Sequence, residues 1–247
     1  MYTTDMNFKK YSGRMYCFSP PVMLATFIFE FCAAAYVIWR YKMTTTTRLI
    51  TGMLVALGTF QLAEYMICGG LGMNGEQWAR LGYVSITLLP ALGIHLIASL
   101  AGKQSKALLY TAYTSMLAFS AYFAFTPGLL NIHECRPNYA VFDLDQVSTT
   151  IYGLYYYGWL VTGVVLAYRW SRDQKVARPL LYMCVGYLLF MVPTTTVNLI
   201  DPSTTAGIPS IMCGFAVLLA IDFIFFVLPS SKAAERITTK GASKKTA

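Results

Sequence analysis

Charged side chains are scarce in this chain. Asp, Glu, Lys and Arg make up 12% of its 247 residues, against about 25% in a typical soluble domain. Hydrophobic residues make up 56%, and the mean hydropathy is +0.52. This composition argues against an ordinary soluble domain and predicts a polytopic membrane protein. The net charge of +8 comes from short basic clusters between apolar runs, without the basic face and interleaved aromatics of a nucleic-acid-binding protein, so no nucleic-acid partner is expected.

Three further absences narrow the class. The last apolar run contains no lysine, which excludes the usual Schiff-base attachment of retinal, and the cofactor is otherwise unknown. The six cysteines do not have the spacing of a zinc finger. Residues 1–14 are hydrophilic, and the apolar run after them is long enough to span a bilayer. No cleavable signal is therefore predicted, and the first span is expected to act as its own insertion signal.

Seven apolar runs approach the length of about 20 residues that a membrane-spanning helix needs. They cover residues 21–40, 48–68, 78–101, 107–126, 147–168, 176–199 and 208–228. Most connections are short, apart from residues 127–146, which favours an all-α antiparallel bundle. The chain is therefore divided into an extracytoplasmic tail (1–20), a seven-helix transmembrane domain (21–229) and a basic, disordered cytoplasmic tail (230–247) that anionic headgroups attract.

The distribution of basic residues predicts the orientation. Cytoplasmic loops collect Lys and Arg, and an outside N-terminus with a cytoplasmic C-terminus places 14 of the 19 basic residues on the cytoplasmic side. We therefore expect an integral protein of the plasma (inner) membrane in this orientation. Three basic residues in the N-terminal tail oppose it, so an eighth segment and an inverted chain stay open as alternatives.

Acidic groups inside the spans are the main functional signal, because ionisable side chains are costly in hydrocarbon. Glu30 falls near the middle of the first span, Glu64 in the outer third of the second, and His95 deeper in the third. These three residues would form a metal site only if the helices were tilted or shifted. Gln61 shares the helical face of Glu64, and Arg80 is predicted at a similar depth. Glu64 is expected either to form an ion pair with Arg80 or to face an outward-open polar cavity.

Polar residues in the other spans extend this hypothesis. Asn198 follows Pro193 in the sixth span, where the proline frees backbone groups that need other partners. The fifth span starts with four tyrosines typical of an interfacial belt, but Tyr152 and Tyr156 share one face and are candidates to point inward. His95 is either a hydrogen-bonded core residue or, with Asp222 in the last span, part of a proton path; Asp222 alternatively pairs with a cytoplasmic base.

The outer cysteines allow two interpretations. Cys68 and Cys135 are candidates for a disulfide bond if their side of the membrane is oxidising. Alternatively, Cys17, His133 and Cys135 offer ligands for copper or zinc.

Short motifs in the first hundred residues carry a resemblance to a known group. They are Cys17-Phe18-Ser19 before the first span, Glu64-Tyr65 and Cys68-Gly69 at the end of the second, and Leu81-Gly82-Tyr83 in the third. This pattern resembles a group of uncharacterised multi-pass bacterial membrane proteins that open with Met-Cys-Phe/Trp-Ser. The resemblance implies a fold of seven spans and no particular activity.

Three functions are compatible with these features. The first is a protein that binds, and translocates, a small solute or cation through an outward-facing polar cavity formed by Glu30, Gln61, Glu64 and Asn198, with Arg80, His95, Tyr152 and Tyr156 as further ligand-binding candidates. The second is a membrane-embedded enzyme that uses a metal or an acid-base pair. The third is a sensor or non-catalytic subunit, as a homo-oligomer or within a membrane complex.

Overall fold

The computed structural model describes residues 20–69, 74–103, 105–130, 133–135, 140–142, 144–173 and 177–231. Within these ranges seven helices are long and apolar enough to cross a membrane. The first six are α1 (Pro20–Arg40), α2 (Thr45–Gly69), α3 (Gly75–Ala101), α4 (Lys106–Phe125), α5 (Gln146–Trp170) and α6 (Ala177–Ile200). The seventh is the continuous segment Pro202–Ser230, which starts as a 3₁₀ helix (Pro202–Gly207) and continues as α7 (Ile208–Asp222). The helical architecture is confirmed and is consistent with an integral multi-pass membrane protein.

A short β hairpin in the connection between α4 and α5 was not predicted from the sequence. Strands β1 (His133–Cys135) and β2 (Ala140–Phe142) pair antiparallel, with His133 opposite Phe142. We call the side of the bundle that carries this hairpin the hairpin end and the opposite side the tail end. The tails 1–19 and 232–247 lie outside the described residues.

Local chemistry explains several helix boundaries. Asn74 and Gln77 form a capping box at the start of α3, and Asp145 caps α5 through the backbone N–H of Ser148. Gly102 ends α3 in the left-handed region at φ 63°. After Asp222 the last helix widens into a π turn (Phe223–Val227) and then closes with Leu228–Ser230, in which Pro229 has no N–H to donate to the normal helical ladder.

Helix α3 lies at the centre of the bundle, where it contacts α2, α4, α5 and α6. Less than a third of α1 and of α4 is buried, and their outer faces carry large exposed apolar residues such as Trp39, Tyr110 and Phe125. Such outer faces suit hydrocarbon as the surrounding solvent. The position of α1 beside α2 and α7 brings polar residues of these three helices into one buried region.

Candidate functional site

Five buried side chains from three helices form what we call the acidic cluster. It consists of Glu30 from α1, Gln61 and Glu64 from α2, and Ser210 and Cys213 from α7. Each of these residues is at most 2% exposed. Glu30 and Glu64 are close enough to interact electrostatically, and Cys213 lies within electrostatic range of both. The sequence placed Glu30 near the middle of its span and Glu64 in the outer third of the next, whereas the structure brings the two acids within electrostatic range of each other.

The spacing of residues on α2 explains how the cluster forms. Gln61 and Glu64 are three residues apart and therefore lie on one helical face. Gly58, one turn before Gln61, faces α1, because a Cβ atom there would lie 2.9 Å from the ring of Phe31 and 3.5 Å from Cβ of Glu30. The missing side chain at position 58 thus lets α1 approach α2 at the depth of Glu30.

Most of the polar atoms in the acidic cluster have no hydrogen-bond partner among the described residues. The Ser210 hydroxyl donates to the Glu64 carboxyl group. Both carboxyl oxygens of Glu30, Oε1 of Glu64 and Nε2 of Gln61 are buried without a partner. A buried polar group without a partner costs about 1–3 kcal/mol, and more if it is charged. Burial of these groups is therefore unfavourable unless the carboxyl groups are protonated or a ligand supplies the missing partners.

A small cavity lies beside the acidic cluster at the hairpin end. Its volume is about 90 Å³, and it is lined by residues of α3, α5, α7, the 3₁₀ helix and the end of the hairpin. Tyr83, Phe142, Tyr152, Tyr156 and Cys213 are among its lining residues, and we call it the tyrosine cavity. The lining is mostly apolar, whereas the sequence had predicted a polar cavity. Cys213 and Tyr83 connect the two regions, because both lie within electrostatic range of Glu64.

The tyrosines of α5 are part of the core. Tyr152, Tyr155 and Tyr156 are all buried. Tyr152 and Tyr156 thus take the inward position considered for them, and the belt interpretation is wrong for Tyr155. The hydroxyl groups of Tyr152 and Thr87 lie 3.1 Å apart, and the Tyr155 hydroxyl donates to the Thr87 carbonyl at 2.8 Å. These bonds fix the rings against α3, and Tyr152 and Tyr156 point into the tyrosine cavity.

Arg80 does not form the expected ion pair with Glu64. Its guanidinium donates to Oε1 of Glu76 at 2.6 Å and to the carbonyls of Ala124 and Thr126 at 2.8 and 2.6 Å. A longer bond of 3.3 Å reaches the carbonyl of Phe123. The last turn of a helix has carbonyls without intrahelical donors, so Arg80 serves as a side-chain cap for α4 and lies outside the acidic cluster.

His95 and Asp222 lie apart from the acidic cluster and contact different helices. His95 Nδ1 lies 2.8 Å from the hydroxyl of Tyr113 on α4, and His95 lines a separate cavity of about 390 Å³ at the tail end. Asp222 packs over Gly186 of α6, and its Oδ2 is buried without a partner among the described residues. No described contact joins the two residues, so the proton path through them stays a prediction. Glu30, Glu64 and His95 do not form a metal site, because His95 contacts Tyr113 of α4 and not the two acids.

Asn198 organises the chain at the mouth of the tyrosine cavity. Its Oδ1 accepts hydrogen bonds from the hydroxyls of Thr204 and Thr205, at 3.3 and 3.0 Å. Thr205 in turn lines the cavity. Asn198 is therefore one step removed from the cavity and does not belong to the acidic cluster.

The predicted cysteine sites fall largely outside the described structure. Cys17 lies outside the described residues, and only the backbone is described for Cys68, His133 and Cys135. The disulfide and the copper or zinc site therefore stay predictions. Among the residues that the structure describes, no group of three or more His, Cys, Asp or Glu side chains is arranged to hold a metal ion.

Sequence reasoning missed four residues of this region: Tyr83, Phe142, Ser210 and Cys213. Ser210 and Cys213 carried a weak signal, since they lie three residues apart in an otherwise apolar span. Phe142 carried none, because its position depends on the hairpin.

Comparison of the chain with known protein families, with curated proteins and with solved structures finds no match. The resemblance of the first hundred residues to multi-pass bacterial proteins therefore stays a prediction, and function has to be inferred from the geometry alone.

Proposed function

We propose that this chain is a multi-pass membrane protein that binds a small cation or cationic solute at the acidic cluster and translocates it across the membrane. One observation carries the proposal. Two buried acids on separate helices lie within electrostatic range of each other, and three of their four carboxyl oxygens have no partner among the described residues.

The electrostatics of burial favour a positively charged ligand. An isolated carboxylate in a low-dielectric interior is strongly unfavourable, and two neighbouring carboxylates are more so. A bound cation or a proton removes this cost. Carboxyl, amide and hydroxyl oxygens are the donors offered by Glu30, Glu64, Gln61 and Ser210, and hard cations prefer such donors.

The tyrosine cavity provides the approach from the hairpin end. It borders Tyr83 and Cys213, which lie next to Glu64. In the proposed orientation the hairpin end faces outward and the basic loops face the cytoplasm of a plasma (inner) membrane. A ligand then enters from outside and reaches the carboxyl groups near the middle of the bundle.

Thermal unfolding of the purified protein in detergent tests the binding step. Lithium, sodium, potassium, ammonium and tetramethylammonium chlorides are compared with one another at equal ionic strength. At least one cation should raise the unfolding temperature of the wild type through specific binding. The shift should be lost in Glu64→Gln and in Glu30→Gln, which keep the side-chain size and remove the charge.

The matched control is Glu76→Gln, which removes an acid that lies outside the cluster and pairs with Arg80. This variant should keep the cation-dependent shift. Flux of the stabilising cation into reconstituted vesicles then tests translocation. Equal cation-dependent shifts in the wild type and in both cluster variants, or no shift with any cation, would refute the proposal.

A further inference from the structure

The rings around the tyrosine cavity form a continuous aromatic wall. The ring centroid of Tyr83 lies 5.1 Å from that of Phe142 and 5.8 Å from that of Tyr152. The Tyr152 ring is in turn 5.8 Å from the Tyr156 ring. These four rings come from α3, α5 and the hairpin, so the wall exists only in the folded bundle.

This wall adjoins a buried carboxyl group. Tyr83 and Cys213 line the cavity and lie within electrostatic range of Glu64, whose Oε1 has no partner among the described residues. The cavity thus combines an apolar aromatic lining with an acid just behind it. Ring faces attract cations, and aromatic cages are a general way to bind alkylated ammonium groups.

The lining discriminates between classes of cation. An inorganic cation would leave its hydration shell for a space with few oxygen donors, which is costly. An alkylated ammonium ion is weakly hydrated, and its apolar surface gains by burial. The cavity of about 90 Å³ is smaller than the roughly 150 Å³ cavity that admits benzene. A tetramethylammonium ion is about as large as benzene, so the cavity covers only some of the methyl groups of such an ion.

We propose that the tyrosine cavity binds the alkylated part of a small organic ammonium ion, with Glu64 as the counter-charge. This inference rests on the proposed function, because it names the ligand class of the same site. The rings of Tyr83, Phe142, Tyr152 and Tyr156 contact the alkyl groups, and the positive charge lies on the side of the cavity nearest Glu64.

Isothermal titration of the purified full-length protein tests this inference. Tetramethylammonium is the probe, and tert-butanol, a neutral molecule of similar size and shape, is its control. Tetramethylammonium should bind at least about tenfold more tightly than tert-butanol in the wild type, and Glu64→Gln should remove the difference. Replacement of one ring by an aliphatic side chain, in Tyr156→Leu and separately in Phe142→Leu, should weaken tetramethylammonium about 2- to 30-fold.

The Tyr182→Leu variant is the matched control, because it removes a ring that packs against Phe226 and does not line the cavity. It should bind tetramethylammonium as the wild type does. Phe142→Leu lies on the hairpin and supplies the ring test if Tyr156→Leu fails to fold. Equal binding of the two probes, or tetramethylammonium binding unchanged by both ring variants, would overturn the inference.

The outcomes also separate this inference from the proposed function. If potassium or sodium gives a Glu64-dependent shift while tetramethylammonium does not bind, the acidic cluster is a cation site and the organic-cation inference is wrong. If no cation binds in a Glu64-dependent way, both proposals fail.

Discussion

Arg80 provides the sharpest test of how the hairpin end is held together. The Arg80→Ala variant removes the donor to the carbonyls of Phe123, Ala124 and Thr126 and the partner of Glu76. A hydrogen bond to a charged group contributes about 1.5–3 kcal/mol. The Arg80 side chain is 19% exposed, so water can replace part of what is lost. We expect the free energy of unfolding to fall by about 2–3 kcal/mol, well below the sum of the separate bonds.

Unfolding in mixed micelles with an increasing fraction of denaturing detergent measures this loss. Arg80→Lys should recover only part of it, because an ammonium group cannot reach the same carbonyls in one geometry. Glu76→Gln should cost less than about 1 kcal/mol, as expected for a surface pair. Arg172→Ala, at an exposed position, is the control for loss of charge. The capping role is refuted if Arg80→Ala unfolds like the wild type. If Arg80→Ala has normal stability but no longer binds the cation, Arg80 is a ligand-binding residue as the sequence predicted.

Two further predictions concern α5. Gly163→Ala should destabilise the bundle by about 1–3 kcal/mol through overpacking, because its Cβ would lie 2.7 Å from the Tyr187 ring. Gly158→Ala is the control and should be neutral in the same micelle assay, because a Cβ there would meet open space. The second concerns Asp145, whose pKa is lowered from its ordinary value of 3.8 by hydrogen bonds from the side chain and backbone of Ser148. Its contribution to stability is present above pH 3.8 and is lost as the pH falls through the lowered pKa. An acid titration of unfolding should lack this component in Asp145→Asn, and an identical titration would refute the assignment.

The spans could be predicted from the sequence because hydrophobic length dominates membrane insertion. The helix ends were less predictable, and α2 shows why. It begins at Thr45, before the apolar run at 48–68. The backbone N–H of Thr47 donates to the Thr44 hydroxyl at 3.4 Å, an N-cap bond that satisfies one of the first N–H groups of the helix. The Thr47 hydroxyl in turn donates to the Lys42 carbonyl at 2.7 Å. These side-chain bonds start the helix before the point at which hydropathy alone would start the span.

The candidate site was predicted only in part. The acids and Gln61 were identifiable because ionisable and amide groups are rare in apolar runs. Whether Glu30 lies near Glu64 depends on the offset between α1 and α2. The close approach of the two helices at Gly58 sets this offset, and the residue pattern of a single helix does not encode it. The roles of the tyrosines were ambiguous for a physical reason. A ring with a hydroxyl suits both a membrane interface and a hydrogen-bonded core, and only Thr87 on the facing helix decides between them.

The two acids of the cluster impose a charge balance that makes cation binding depend on pH. Protons and cations compete for the same carboxyl oxygens of Glu30 and Glu64, so a bound cation displaces protons. Competition with one proton changes the apparent dissociation constant by at most about tenfold per pH unit. The affinity for the stabilising cation should therefore rise with pH over the range in which these carboxyls exchange protons. In Glu30→Gln, any binding that remains should show a shallower pH dependence, because one exchanging group is gone. Titrations in two buffers of different ionisation enthalpy measure the released protons directly. An affinity independent of pH, with no proton release, would contradict a site in which carboxyl groups hold the cation.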